Sequence, residues 1–215
     1  MSMRVIAGSM ILVGAAAAQG AITFTFADPT AMSEMSHTGG LLSYNADAID
    51  FTIHSTEAGY AGETYEDATL SFTATAVDGG SFGPFQAGLV TTTTFEFRDN
   101  AGDLLLSGSF TNGTLALIND VGGITADEDA SFGGLTYTAH GDFLADLQAA
   151  NLELAPEYDA AFTLTNIEFG SPGQGLADFT ANSAFTGTAH VIPTPGALAL
   201  AGFGGLAAIR RRTRS

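Results

Sequence analysis

Between residues 21 and 192 apolar side chains recur at every second position, in short runs broken by Gly, Asp, Asn and Pro. A period of two puts alternate side chains on opposite faces of an extended strand, so the pattern predicts half-buried β-strands. Ala21-Ile22-Thr23-Phe24-Thr25-Phe26 alternates cleanly and stops at Asp28-Pro29. Strands are predicted over 48–54 and over 68–77, the latter closed by Asp78-Gly79-Gly80. The segment 89–98 is rich in β-branched Thr and carries Phe95 and Phe97 on one face. Asp99-Asn100-Ala101-Gly102 reads as a turn, followed by a strand over 103–111 with Leu104, Leu106, Gly108 and Phe110 aligned. Asn112-Gly113 fits a two-residue type I′ turn, which returns the chain over 114–118 and makes 93–118 a three-stranded meander. Later strands are predicted at 135–139, 160–169 and 176–191, with Phe179, Ala181, Phe185, Ala189 and Val191 sharing a face. Residues 29–47 and 119–130 read as loops.

One segment departs from the period of two. Phe143, Leu144, Leu147 and Ala150 recur at helical spacing, Asp142 can cap, and Pro156 blocks continuation, so a single short helix is predicted over 142–152. Many short strands with one helix define a mainly β fold. An antiparallel β-sandwich over residues 21–190 is the first expectation and a barrel the second. No fixed-period repeat is present, which argues against a solenoid or propeller.

Composition narrows the function classes. The 215 residues amount to about one domain, only 13% are charged, and 27 are Gly. With no Cys, disulfides, zinc–thiolate sites, iron–sulfur clusters and thiol nucleophiles are all ruled out. All 23 acids lie between Asp28 and Asp178, where Arg98 is the sole basic residue, so this stretch has a net charge of −22. Such a body repels nucleic-acid phosphates and offers no basic patch to bind them.

The two ends read differently from the body. Met-Ser-Met-Arg, an apolar stretch over 5–13 and Ala16-Ala17-Ala18 form the charged, apolar and small-residue regions of a signal peptide, assigned to residues 1–20. The C-terminal segment 191–215 contains Pro193-Thr194-Pro195, an uncharged apolar run over 196–209, and Arg210, Arg211 and Arg212 with Arg214 beyond. As a helix the run spans about 21 Å, short of a roughly 30 Å bilayer core, which suits a temporary anchor. By the positive-inside rule the arginines stay cytoplasmic and the body lies outside.

This tail resembles the PEP-CTERM sorting signal of Gram-negative bacteria, with Thr194 standing where that family usually has Glu. The resemblance covers the tail only. It implies a transient inner-membrane insertion and processing by signal peptidase and by an exosortase, a membrane cysteine protease. Release to the cell surface or extracellular matrix, in the company of exopolysaccharide, would follow. It implies nothing about the activity of the body.

Candidate chemistry in the body is sparse. Gly79-Gly80-Ser81-Phe82-Gly83 matches G-x-S-x-G, but a nucleophile elbow needs a helix after the turn, and Pro84 with a Thr-rich strand follows instead. His37, His54, His140 and His190 form no H-x-x-H or H-E-x-x-H pair. Acid-rich loops offer Asp99, Asp103, Asp127 and Asp129 as oxygen ligands for calcium, the one cofactor the sequence suggests. The sequence reading is therefore an exported, non-enzymatic structural or adhesive protein. A calcium-dependent glycan-binding or adhesion module is the first alternative and a secreted hydrolase the second.

Overall fold

A computed structural model of the chain describes residues 20–27, 34–44, 48–57, 59–129, 133–170 and 176–194. The elements are β1 (Gly20–Ala27), β2 (Met35–Thr38), β3 (Leu41–Tyr44), β4 (Ile49–Ser55), β5 (Gly62–Phe82), β6 (Phe85–Arg98), β7 (Leu104–Ile118), β8 (Val121–Asp127), β9 (Thr136–Ala139), α1 (Gly141–Ala149), β10 (Leu152–Phe169) and β11 (Phe179–Pro193). The predicted mainly β, antiparallel architecture with one short helix is what the structure shows.

All eleven strands belong to one sheet. Its pairings run β1–β4–β5–β6–β7–β8–β10–β11 and return to β1, so the sheet closes on itself. The short strands share the edges of the long ones. β11 pairs with β1 over 184–191 and with β2 over 179–181, while β5 pairs with β4 over 62–68 and with β3 over 72–75. On the opposite side β7 pairs with β8 over 114–118 and with β9 over 106–109. The ladder thus has barrel connectivity, with two halves facing each other across one core as in a sandwich. All the paired strands and the described core lie within residues 20–194.

The period of two explains the interior. An eight-stranded ring has an interior narrow enough for side chains to fill, and here Phe rings pack into it. Phe95 sits among Phe97, Phe110, Tyr137, Phe162 and Phe185, with centroids 6.1–6.3 Å away. Phe51 stacks on Phe97 at 4.2 Å. Glycines make room for the rings: a Cβ at Gly108 would lie 2.3 Å from Phe95 Cζ, and one at Gly187 2.3 Å from the Tyr137 hydroxyl. α1 buries Phe143 and Leu147, and Phe143 meets Phe24 edge-on at 5.8 Å. The helix closes one end of the barrel. An apolar interior beneath a Thr-rich exterior is the reverse of the polarity a membrane-spanning barrel needs. Among the described residues no helix is long and apolar enough to cross a bilayer.

Several boundaries differ from expectation. The predicted loop 29–47 contains the paired strands β2 and β3, and the predicted loop 119–130 contains β8. β8 was hidden because Gly122 and Gly123 carry no side chain to display an alternation. Asn112-Gly113 is not a turn: β7 continues through it with a register shift, Gly113 lying opposite Val90 and Phe110 opposite Thr92. The glycine is needed there because a Cβ would lie 2.6 Å from Phe110 Cε2. The third strand of the meander is therefore β8, after a turn at Asn119, which has φ +53°. Pro156 falls inside β10 rather than ahead of a strand starting at residue 160. The helix covers Gly141–Ala149, and the expected C-terminal helix lies outside the described residues.

The strands give the barrel two distinct ends. One carries the turns after β2, β5 and β7 and the C-terminal end of β10. The other carries α1 and both ends of the described body, since Gly20 lies opposite Val191 on β11.

Candidate functional site

The densest group of ionisable side chains is built by an irregularity in β10. Ala155 faces His190 and Asp159 faces Thr188, so residues 156–158 bulge opposite Ala189 alone. Pro156 has no N–H to give to a ladder, and bulges are where such residues are tolerated. Glu157 adopts φ +95°, a left-handed conformation that non-Gly residues hold only when neighbours fix it. Those neighbours are present. Glu128 Oε2 accepts hydrogen bonds from the backbone N–H groups of Glu157 and Tyr158, and Glu157 Oε2 lies 2.8 Å from His190 Nδ1. Asp159 accepts the Thr188 hydroxyl and is the direct cross-strand partner of Asp127.

The result is an open depression of about 430 Å³ into which Asp127, Glu128, Asp129, Glu157 and Asp159 all face. Like charges directly opposite on a sheet repel, so Asp127 beside Asp159 is a local cost. Much of the acceptor capacity is already used. Asp127 Oδ1 takes the Asp129 N–H at 3.0 Å, and Glu128 Oε2 and Asp159 Oδ2 are engaged by the Glu157 and Tyr158 N–H groups and by the Thr188 hydroxyl. The electrostatics favour cations over anions. Among the described residues, however, no group of three or more His, Asp or Glu is placed to hold a metal ion. The acids brace the bulge.

The four calcium candidates fall in two places. Asp99 and Asp103 occupy the β6–β7 turn, where Asp99 Oδ1 accepts the N–H groups of Ala101 at 2.9 Å and Asp103 at 2.8 Å. Arg98 closes the same turn through Glu96 at 2.7 Å and the Gly102 carbonyl at 3.0 Å. Asp127 and Asp129 belong to the bulge. β8 Thr125 aligns with β7 Thr114, ten residues beyond the start of β7 at Leu104. At about 3.3 Å per residue the two pairs are more than roughly 20 Å apart. Sequence reasoning placed Glu128 only in an acid-rich loop and His190 only among scattered histidines, and it did not single out Glu157 or Asp159. Pro156 within an alternating run was the available sign of a bulge.

Ser81 sits in the β5–β6 hairpin opposite Gln86, in a strand–turn–strand where a nucleophile elbow requires strand–turn–helix. The histidines are dispersed. His37 is buried and its Nδ1 donates to the Ala177 carbonyl at 2.9 Å, His54 is exposed on β4, and His140 Nε2 meets Ser107 Oγ at 2.9 Å ahead of α1. Pro193 ends β11 opposite Leu152, and the Thr194 N–H donates to the Asn151 carbonyl at 2.8 Å. Pro195, Arg210, Arg211 and Arg212 lie outside the described residues, as does the segment 1–19.

The tyrosines report on the interior. Burial pushes the Tyr137 hydroxyl well above its usual range, with Asp159 adding to the effect, and that hydroxyl donates to the Asp159 carbonyl at 2.8 Å. Burial also raises Tyr60 and Tyr65, helped in turn by Asp146 and Glu63 respectively. Above pH 10 the unfolded chain loses these protons while the folded body keeps them, so stability falls as pH rises. For Tyr137 alone the slope approaches about 1.4 kcal/mol per pH unit. A spectroscopic titration is expected to show phenolate only together with loss of near-UV circular dichroism. Full ionisation near pH 10 with the fold intact would refute the burial of these rings.

Fold and site together define a mainly β, closed-sheet domain with a filled interior and an acidic surface depression. No family model, curated protein or solved structure matches this chain.

Proposed function

We propose that the chain is an exported surface or matrix protein whose β body is a structural or adhesive module, delivered and trimmed through its C-terminal segment. The observation that carries this reading is the order of Pro193-Thr194-Pro195, an uncharged run and an arginine cluster, a series that begins at the last residue of β11. The placement of both ends supports it. Gly20 and Thr194 leave the barrel at the same end, so one membrane can hold either terminus without threading the fold. The long strands then point away from that membrane. A filled interior leaves the outer face as the place where partners are met.

Intact mass of the exported protein tests the reading. A mature chain is expected to lack the signal peptide, residues 1–20, and to have lost Arg210, Arg211 and Arg212. A surface-located chain that retains the arginines sinks the sorting proposal.

A further inference from the structure

The outer face of β5–β8, at the end of the barrel opposite α1, carries an array that the proposed export does not use. Its cross-strand register sets out three parallel rows. The first runs Val77–Leu89–Thr114–Thr125. The second runs Gly80–Ala87–Ala116–Gly123 and the third Phe82–Phe85–Ile118–Val121. No charged residue occupies any of these positions, in a body whose net charge is −22.

The large side chains are exposed although they are apolar. Phe82 is 86% exposed, Val77 60% and Leu89 57%. Together with their neighbours they present on the order of 700 Å² of accessible surface, above the few hundred Å² usual for a monomer and close to the roughly 800 Å² per partner of a standard interface. The relief matters as much as the area. Two raised rows flank a trough of Gly and Ala, and rows on the same face lie about 6.8 Å apart, two residues along the strand.

We propose that this face is where a second copy of the chain packs, sheet on sheet, about a two-fold axis. A ridge–trough–ridge surface is self-complementary: the Phe82–Val121 row of one copy enters the trough of the other, and the reverse, as an isologous interface requires. The twelve array positions themselves carry no charge, so the acids that two bodies would bring together are those beside them: Asp78, next to Val77 on β5 with its carboxylate bonded to the Gly80 N–H, and Asp120 in the β7–β8 turn. Edge-to-edge pairing through β5 is disfavoured, because the register shifts at Gly79 and the Asp78 carboxylate takes the Gly80 N–H at 3.0 Å. Screening of the flanking acids makes the dimer tighter at physiological than at low ionic strength.

Sedimentation equilibrium on residues 20–194 tests this. The expected result is a dimer at micromolar concentration that weakens at low salt. Phe85→Asp and Leu89→Asp, both at exposed positions, should each raise the dissociation constant by more than about 30-fold, as loss of a buried anchor does. Their melting temperatures and circular dichroism should stay close to those of a matching monomer. Thr186→Asp, on the outer face of β11 away from the patch, should leave the dimer intact. A wild-type monomer at physiological salt overturns the proposal, and so does a dimer indifferent to both patch variants. A monomer that binds neutral phosphatidylcholine vesicles through Phe85 would overturn it in favour of a lipid surface.

Discussion

Phe95→Ala is expected to destabilise the body by about 3–5 kcal/mol, the range for deleting a buried aromatic side chain. Phe95 has no exposed surface and lies where both halves of the closed sheet meet. β6 brings it in, β7 supplies Phe110, β9 Tyr137, β10 Phe162 and β11 Phe185. A cavity there cannot collapse cheaply, because its walls are strands of one closed hydrogen-bonded sheet, with β9 held to it through β7. For a body of this size each kcal/mol lowers the melting temperature by about 2–4 °C, so a fall on the order of 10 °C is expected. Urea unfolding should move its midpoint and keep its slope, since the native fold is retained. Phe82→Ala provides the contrast. Its ring is almost fully exposed in a single copy, so the change should stay within about 0.5 kcal/mol when unfolding is measured at concentrations where the protein is monomeric. Equal losses for the two variants would mean that the interior is not organised around Phe95.

The alternating pattern made most of this core readable in advance. Ile22, Phe24 and Phe26, then Phe95 and Phe97, then Phe179, Ala181 and Phe185, all point inward as their spacing requires. The helix was legible for the converse reason, since Phe143 and Leu147 fit a period near four and no strand period. Glycine defeated the reading elsewhere. Gly122 and Gly123 in β8 give no pattern, and Gly113 in β7 mimics a hairpin turn because it follows Asn112. In both cases the glycine answers a ring or carbonyl: Phe110, three residues back on the same strand, for Gly113, and the Phe162 carbonyl on β10 for Gly123. Local propensity cannot reveal the second of these. Ring closure was equally hidden, because β1 and β11 lie at opposite ends of the sequence and only pairing states their adjacency. The acidic bulge shows the same limit. Asp127 was visible as an acid in a loop-like stretch, whereas its neighbour Asp159 is reached only through the β8–β10 register. The charge-free outer array is likewise a property of register, assembled from strands that individually look like ordinary half-exposed ones.

Gly108→Val opposes two physical effects and should be decided by packing. In a strand interior, replacing Gly by a residue with a side chain recovers about 0.5–1 kcal/mol of backbone entropy, and Val is among the best strand formers. Propensity alone therefore predicts a more stable protein. Gly108, however, lies between Phe95 on β6 and Tyr137 on β9 as the cross-strand partner of both. Its missing Cβ would sit 2.3 Å from Phe95 Cζ and within 2.9 Å of both Cε atoms. The ring cannot tilt aside, because Phe97, Phe110, Phe162 and Phe185 surround it. Overpacking of this kind costs about 1–3 kcal/mol for added methylenes, and a branched side chain should reach or pass the upper end. A net loss of at least about 2 kcal/mol is expected in equilibrium unfolding. The same geometry predicts coupling. In Gly108→Ala combined with Phe95→Leu, the smaller side chain makes room for the new methyl. The double variant should therefore be more stable than the sum of the single losses by about 1 kcal/mol or more, as for residues sharing one space. Strict additivity, or a Gly108→Ala variant that gains stability, would place the Phe95 ring away from β7 and remove the basis for treating these inward glycines as seats for aromatic rings.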